Sequence, residues 1–281
     1  MGLENFIPKV LSAFVIEALR KALVYGFVAN RDFEGEAKIG GTVQINEIGD
    51  ITVGDYTKYT DMTFQTLDGA ALTLKIDQQK YFAFTIDQID SMFVKPELQD
   101  KYMGRGAYKA ANTIDNFLAG LWTQAGITTG IGTSETPIEV SAGNVVEYIG
   151  KVGRYMTDAG VPVENRWMVI PPWMKEDLWN SSISKLTDNN ATLKNGMIGP
   201  VRNFTLYESQ NVDNYGGTKG TSDKIMAGIP SSLALAVAIN GDIRIKEPEK
   251  RRGVNVDGLF VYGGKVVRPD TLACLSASEH E

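Results

Sequence analysis

Four carboxylates stand in pairs that could do chemistry: Asp87 with Asp90, and Asp55 with Asp61. Two carboxyl groups held close together can divide acid and base roles between them, or hold a metal ion. Spacing alone is weak support here, because 34 of the 281 residues are acidic and such pairs arise by chance. Ser141, Ser181 and Ser231 lack the strand–turn–helix setting that exposes a nucleophilic hydroxyl. Cys274 is the sole cysteine and His280 the sole histidine. One of each excludes an intrachain disulfide and a Cys/His zinc site, and a single histidine in the tail leaves a histidine-based triad almost nothing to work with.

Two glycine-rich stretches invite a phosphate reading and fail it. Gly216–Thr221 (GGTKGT) contains Gly, Lys and Thr, but not in the order of a P-loop, and no strong apolar strand precedes it. Gly126–Gly132 (GITTGIG) lacks the dinucleotide-binding spacing and follows a helix rather than a strand. Pro171–Pro172–Trp173 reads as a helix start whose tryptophan buries area against a sheet. No catalytic, cofactor-binding or metal-ligating residue is expected. A chain of this length without a reactive cluster leans towards a binding or structural role.

Composition narrows the partners. The net charge is −6, and the densest basic run, Lys250–Arg251–Arg252, is flanked by Glu247 and Glu249. That is a poor grip on nucleic acid, which depends on clustered cations. Glu17, Arg20 and Lys21 interrupt the apolar N-terminal run, so neither a signal peptide nor a membrane span is expected.

The elements form an α+β order. Val10, Leu11, Phe14, Val15, Ala18, Leu19, Ala22 and Leu23 recur at helical spacing over residues 8–24. The polar side of this helix is narrow, so its cover is either the core or another chain, with Phe14 and Leu19 as interface candidates. Strands are expected at Thr42–Glu47, Ile51–Val53, Thr63–Leu67, Leu72–Ile76 and Tyr81–Thr85, with turns at Gly49–Asp50, Gly54–Asp55 and Asp68–Gly69. The middle of this ribbon, Asp50 to Thr60, has few large apolar residues. Nothing after it supplies a second layer. A long helix spans 96–122 on a stripe of Met103, Ala107, Ala110, Ile114, Phe117, Leu118 and Leu121; Gly104 and Gly106 mark a bend or a close approach. A second helix carries Val145, Val146, Ile149, Val152, Tyr155 and Met156, with Ser141 as its cap. Arg166–Ile170 is a strand and Trp173–Trp179 a helix. Asn203–Glu208 and Asp223–Gly228 are strands, and Pro230–Ile239 reads as an alanine-rich helix. The chain ends in strands at Ile243–Ile245, Leu259–Tyr262, Lys265–Val267 and Thr271–Leu275, with Gly263–Gly264 expected to separate two of them.

In this order the elements resemble the major capsid proteins of tailed double-stranded DNA bacteriophages, with the HK97-like fold. The likeness is carried by Phe6–Ile7–Pro8, Asn30–Gly35, Gly40–Val53, Leu72–Phe84, the 96–122 helix, Arg166–Pro172, Gly199–Gln210 and the closing YGGKVVRPDTLACL. It spans nearly the whole chain, and its strength lies in joint order rather than in any one motif. The resemblance implies an N-terminal arm (1–35), an extended E-loop hairpin (36–84), a P-domain (85–165) with its spine helix at 96–122, an A-domain (166–242), and a return to the P-domain (243–281).

It also implies a non-enzymatic subunit that assembles in the host cytoplasm, as pentamers and hexamers, into the icosahedral head. Expected partners are a separate scaffolding protein, a portal protein and non-specifically contacted packaged DNA, with no membrane and no cofactor. The thin ribbon is then expected to lie over a neighbouring subunit. Its interface candidates are Val43, Ile45, Ile51, Val53, Tyr56 and Tyr59. Lys58 stands near the tip, where some members cross-link through Lys and Asn; no partner is assigned. The rival readings are an encapsulin-like nanocompartment shell and, from a different class, a cytosolic α+β enzyme with a deep polar pocket.

Overall fold

The computed structural model describes residues 23–36, 41–47, 53–59, 61, 64, 70–87, 96–181, 200–214, 222–246 and 253–280. In chain order these form helix α1 (Tyr25–Val28) and strands β1 (Thr42–Glu47), β2 (Ala70–Lys75) and β3 (Gln78–Asp87). The long helix α2 (Pro96–Ala119) continues as a 3-10 turn, Gly120–Gln124. Then come β4 (Ile138–Val140), α3 (Val145–Asp158), β5 (Arg166–Ile170) and α4 (Pro172–Asn180). The remaining strands are β6 (Pro200–Val201), β7 (Phe204–Glu208), β8 (Asp213–Asn214), β9 (Asp223–Gly228), β10 (Leu233–Lys246), β11 (Gly253–Val266) and β12 (Ala273–Glu279).

One half of the molecule is built in three layers. Its centre is a sheet of order β10-β11-β3, antiparallel throughout. On one face lies α2, which buries Ala107, Ala111, Ile114 and Leu118 at intervals of three and four residues. Phe117 meets Tyr262 edge-on at 5.5 Å between ring centroids. Phe82 is wedged between helix and sheet: a Cβ on Gly106 would stand 3.3 Å from its ring, and one on Gly258 would stand 2.5 Å away. Gly106 is therefore a close approach. On the opposite face lies the antiparallel β1–β2 hairpin, whose Val43, Ile45 and Leu74, with Ile76, pack on Ala234, Ala236 and Val261.

The other half is a seven-stranded sheet of order β4-β12-β9-β5-β7-β6, with β8 paired to β9. All five residues of β5 are buried, as expected for a central strand covered on both faces. Arg166 begins that strand and is itself buried. Its guanidinium donates to the carbonyls of Gly153, Val161 and Pro162 and to Thr157 Oγ1, at 2.6–3.1 Å. The bonds to Val161 and Pro162 satisfy carbonyls just beyond the C-terminus of α3, where a cation is favoured.

Three expectations are corrected. Pro230–Ile239 is not a helix: Leu233 begins the 14-residue strand β10. Both faces of that strand are covered, Leu233 and Leu235 by the main core and Ala234 and Ala236 by the hairpin. A continuous apolar run of this kind has no period to tell strand from helix. Gly263–Gly264 does not break β11. Gly263 lets the backbone of Lys75 and Ile76 cross the strand, and Gly264 accommodates Leu118 and Phe117 of α2. The cap of α3 is Asn144, not Ser141; Asn144 Oδ1 accepts from Ser141 N at 2.8 Å.

The boundaries expected at 165 and 242 do not coincide with the sheets. β4 and β12 belong to the seven-stranded sheet, and α3 contacts β12 beside it. β10, which starts at Leu233, belongs to the three-stranded one. Strand partners are chosen by long-range pairing, which the order of elements does not encode. The helix expected over 8–24 lies outside the described residues, apart from Leu23 and Val24, which lead into α1.

Candidate assembly surfaces

The hairpin changes character along its length. In its base, residues pair from Thr42↔Lys75 to Glu47↔Ala70. Alternation sends Val43 and Ile45 inward, at 2% and 8% exposure, and Thr42 and Gln44 outward. Ile76 N donates to Gly41 O, and Lys265 Nζ reaches Thr73 O at 3.1 Å, so the base is tied to the body as well as packed on it.

Beyond the base, every residue described from Val53 to Tyr59, with Asp61 and Phe64, is exposed. Val53 and Tyr59 are 93% exposed, Phe64 is 88%, and Tyr56 is also open. Tyr59 sits at φ 70°, a left-handed conformation uncommon for a residue with a side chain, and Lys58 Nζ lies 5.0 Å over its ring. Each such side chain would contribute about 1.5–3 kcal/mol if fully buried. Four on one ribbon form the kind of exposed apolar surface that marks a protein contact.

The interface candidates named from the sequence thus divide. Val43 and Ile45 are corrected: their partner is this chain's own sheet, so they are core residues. Val53, Tyr56, Lys58 and Tyr59 stand free of the body. Ile51, Phe14 and Leu19 lie outside the described residues. Exposed aromatics went unnoticed in the sequence, among them Phe64, Tyr81 on the outer face of β3, and Phe27, whose ring lies 5.8 Å from that of Tyr207. Strict alternation of Tyr81 with Phe82 was the available signal for the second.

The buried polar groups do structural work. Asp115 of α2 is fully buried and accepts from Val24 N at 2.7 Å and Gly26 N at 3.2 Å, holding the start of α1 against the long helix. Burial raises its carboxyl to about 6, against the lowering effect of those amides. Lys224 donates to Ser222 Oγ and Ser276 Oγ at 2.8 and 2.9 Å and lies 5.0 Å over Trp122. Trp122 in turn donates to Asp213 at 2.5 Å. These contacts join β8, β9, β12 and the end of the long helix. Burial pushes the Cys274 thiol up to about 12, offset only in part by Lys224, which leaves it protonated and unreactive.

The Asp55–Asp61 pair gains nothing from the fold, and the Asp87–Asp90 pair cannot be placed. Asp55 and Asp61 are exposed on the ribbon, and Asp90 lies outside the described residues. Among the described residues no group of three or more His, Cys, Asp or Glu side chains could hold a metal ion. The Gly126–Gly132 loop is a strap along β12: Ile127 N donates to Leu272 O, Ile127 O accepts from Cys274 N, and Ile131 O accepts from Ser276 N. Its glycines allow that approach, since a Cβ on Gly126 would meet Pro269 O at 2.5 Å. No described helix is long and apolar enough to cross a membrane.

No protein-family model matches the sequence, and no curated protein does. Solved structures do. One from Mycobacterium phage Che8 matches with a TM-score of 0.73 at 26% identity, over 90% of each chain. The capsid structure of cyanophage P-SCSP1u matches with 0.69 at 15% identity, over 92% of this chain and 89% of that one. The capsid of Ralstonia phage GP4 matches with 0.65 at 14% identity, over 90% and 88%. The chain has an α+β fold resembling the HK97-like capsid proteins.

Proposed function

We propose that this chain is the major capsid protein of a tailed phage, a structural subunit that assembles into the icosahedral shell around the genome. The observation that carries this is the extent of the likeness: phage structures match over about nine-tenths of both chains. A ribbon presenting Val53, Tyr56, Tyr59 and Phe64 to solvent supports it independently. Its surface is suited to a second copy rather than to a substrate.

Within this reading, β1, β2 and the segment between them are the E-loop, and α2 is the spine helix. The sheet pairing favours a P-domain of 78–119 with 233–266, and an A-domain of 125–232 with 267–280. Val53, Tyr56, Lys58, Tyr59 and Phe64 are the contact residues on a neighbouring subunit; Ile51, Phe14 and Leu19 remain candidates for the same role. Pentamers and hexamers close the shell. A separate scaffolding protein guides assembly in the host cytoplasm, a portal protein occupies one vertex, and DNA is contacted without sequence preference.

Expression with a candidate scaffolding protein, followed by negative-stain microscopy, tests the reading. Closed shells, or free pentamers and hexamers, are expected. Monomers under every assembly condition overturn it.

A further inference from the structure

We infer that neighbouring copies of this chain meet through opposite edges of their seven-stranded sheets, the acidic β4–β12 edge of one against the basic β6–β7 edge of the next. This rests on the shell reading and names the contact that closes its rings.

Among the described strands β4 is outermost on one side of the sheet and β6 on the other. On the β4 side, Glu139 and Glu279 are exposed, and α4 brings Glu176 and Asp177 to the same corner. The Asp177 carboxyl is raised by burial and then by the charges of Glu279 and Glu176, so these groups share one field. Among the described residues His280 lies 3.4 Å from Glu139, and Lys175 of α4 turns away from this corner to Glu208 of β7.

On the β6 side, Arg202 sits in the β6–β7 turn, where it and Asn203 adopt φ of 47° and 72°. Its side chain extends across α3 at Gly150, with Cδ 3.2 Å from where a Cβ would be. Lys151 and Arg154 line the same open cleft, of about 380 Å³. Among the described residues Arg202 makes no ion pair. Lys151 is held by Glu147 at 2.7 Å, and Arg154 by Asp158 only at 3.8 Å. Exposed helix pairs of this kind contribute little, so an incoming carboxylate can displace them.

Like edges repel, which opposes a two-fold contact and favours head-to-tail association that repeats around a ring. β4 and β6 have three and two residues, too few for extensive backbone pairing between copies. Side-chain charge is left to set register and partner.

The test uses the full chain with one edge reversed at a time: Arg154→Glu with Arg202→Glu, or Glu139→Lys with Glu279→Lys. All four positions are exposed, so thermal unfolding of each variant should match the parent. At low ionic strength each variant alone should lose assembled material roughly tenfold or more. A chain carrying all four reversals should regain it. A mixture of the two single-edge variants should give hexamers but no pentamers, because an alternating ring needs an even number of members. Single-edge variants that assemble like the parent overturn the edge pairing, and so does a fourfold variant that folds but stays unassembled. If the parent itself never assembles, the shell reading has failed instead.

Discussion

Gly263 lies against the carbonyl oxygen of Lys75 with no room for a side chain between them, and a Cβ there would also stand 2.9 Å from Ile76 Cα. The neighbour on the crowded side is backbone, so it cannot step aside as a flexible side chain would. Gly263→Ala must lift the hairpin base off the three-stranded sheet or distort β11. Overpacking of this kind costs about 1–3 kcal/mol. Urea unfolding of the unassembled subunit should show that loss, and assembly should fall further because the ribbon's angle changes. An unchanged midpoint would mean that the hairpin base is not fixed there.

Core and contact residues of the ribbon should separate in a pair of measurements. Ile45→Ala and Leu74→Ala remove side chains buried on Ala234, Ala236 and Val261, and each should cost about 2–5 kcal/mol of subunit stability. Tyr59→Ala and Phe64→Ala should leave the unfolding midpoint within about 0.5 kcal/mol of the parent while reducing shell yield. Equal stability losses from both sets would place the tip in a core.

Where sequence pattern and structure agree, the signal was local. The stripe through Ala107, Ile114 and Leu118 gave α2, and the apolar run Arg166–Ile170 gave β5. Where they differ, the deciding partner is far away in the chain. Val43 and Ile45 alternate as surface strand residues should, but the layer that covers them is supplied some 190 residues later by Ala234 and Ala236. The same distance hides the meaning of Gly263–Gly264, which has the composition of a turn and serves as a crossing point for Lys75. Alanine at 234 and 236 looks helical in a single strand of text, yet its small volume is what lets a second layer approach.

Stability should fall as pH rises through the range set by Asp115. Its ordinary value is 3.8 and its folded value about 6. Below pH 4 or so the carboxyl is protonated in both states. Between there and about pH 6 the folded chain keeps a proton that the unfolded chain has released, so each step up in pH favours unfolding. Above about pH 6 the full cost of a buried carboxylate, roughly 3 kcal/mol, is present. Other carboxylates titrate too, so the measurement is a difference: denaturation of parent and Asp115→Asn across pH 4–7. The parent-minus-variant gap should shrink with rising pH; a constant gap contradicts the assignment.

Tyr262 offers a gain. Its hydroxyl is buried with no hydrogen-bond partner among the described residues, and burial lifts the phenol to about 12. Its ring meets Phe117 edge-on. Tyr262→Phe keeps that contact and removes a desolvated polar atom, whose burial costs about 1–3 kcal/mol. Thermal unfolding should show equal or higher stability. A marked loss would mean that the hydroxyl is bonded after all.

The hairpin base also permits a clean excision of the ribbon. Glu47 and Ala70 are paired in register, so an Asn-Gly turn can replace residues 48–69 and close the two strands with the tight geometry such dipeptides prefer. None of the described residues packed on Ala234, Ala236 and Val261 is removed. The shortened subunit should unfold cooperatively at nearly the parent's denaturant midpoint, since the described part of the deleted segment is exposed and contributes little to the core. Shells should be absent from micrographs of the same preparation, because the excised side chains Val53, Tyr56, Tyr59 and Phe64 are those offered to a neighbour. Loss of folding would assign the ribbon to the subunit's own core. Normal shells from the shortened chain would show that assembly depends on other surfaces, among them the charged sheet edges.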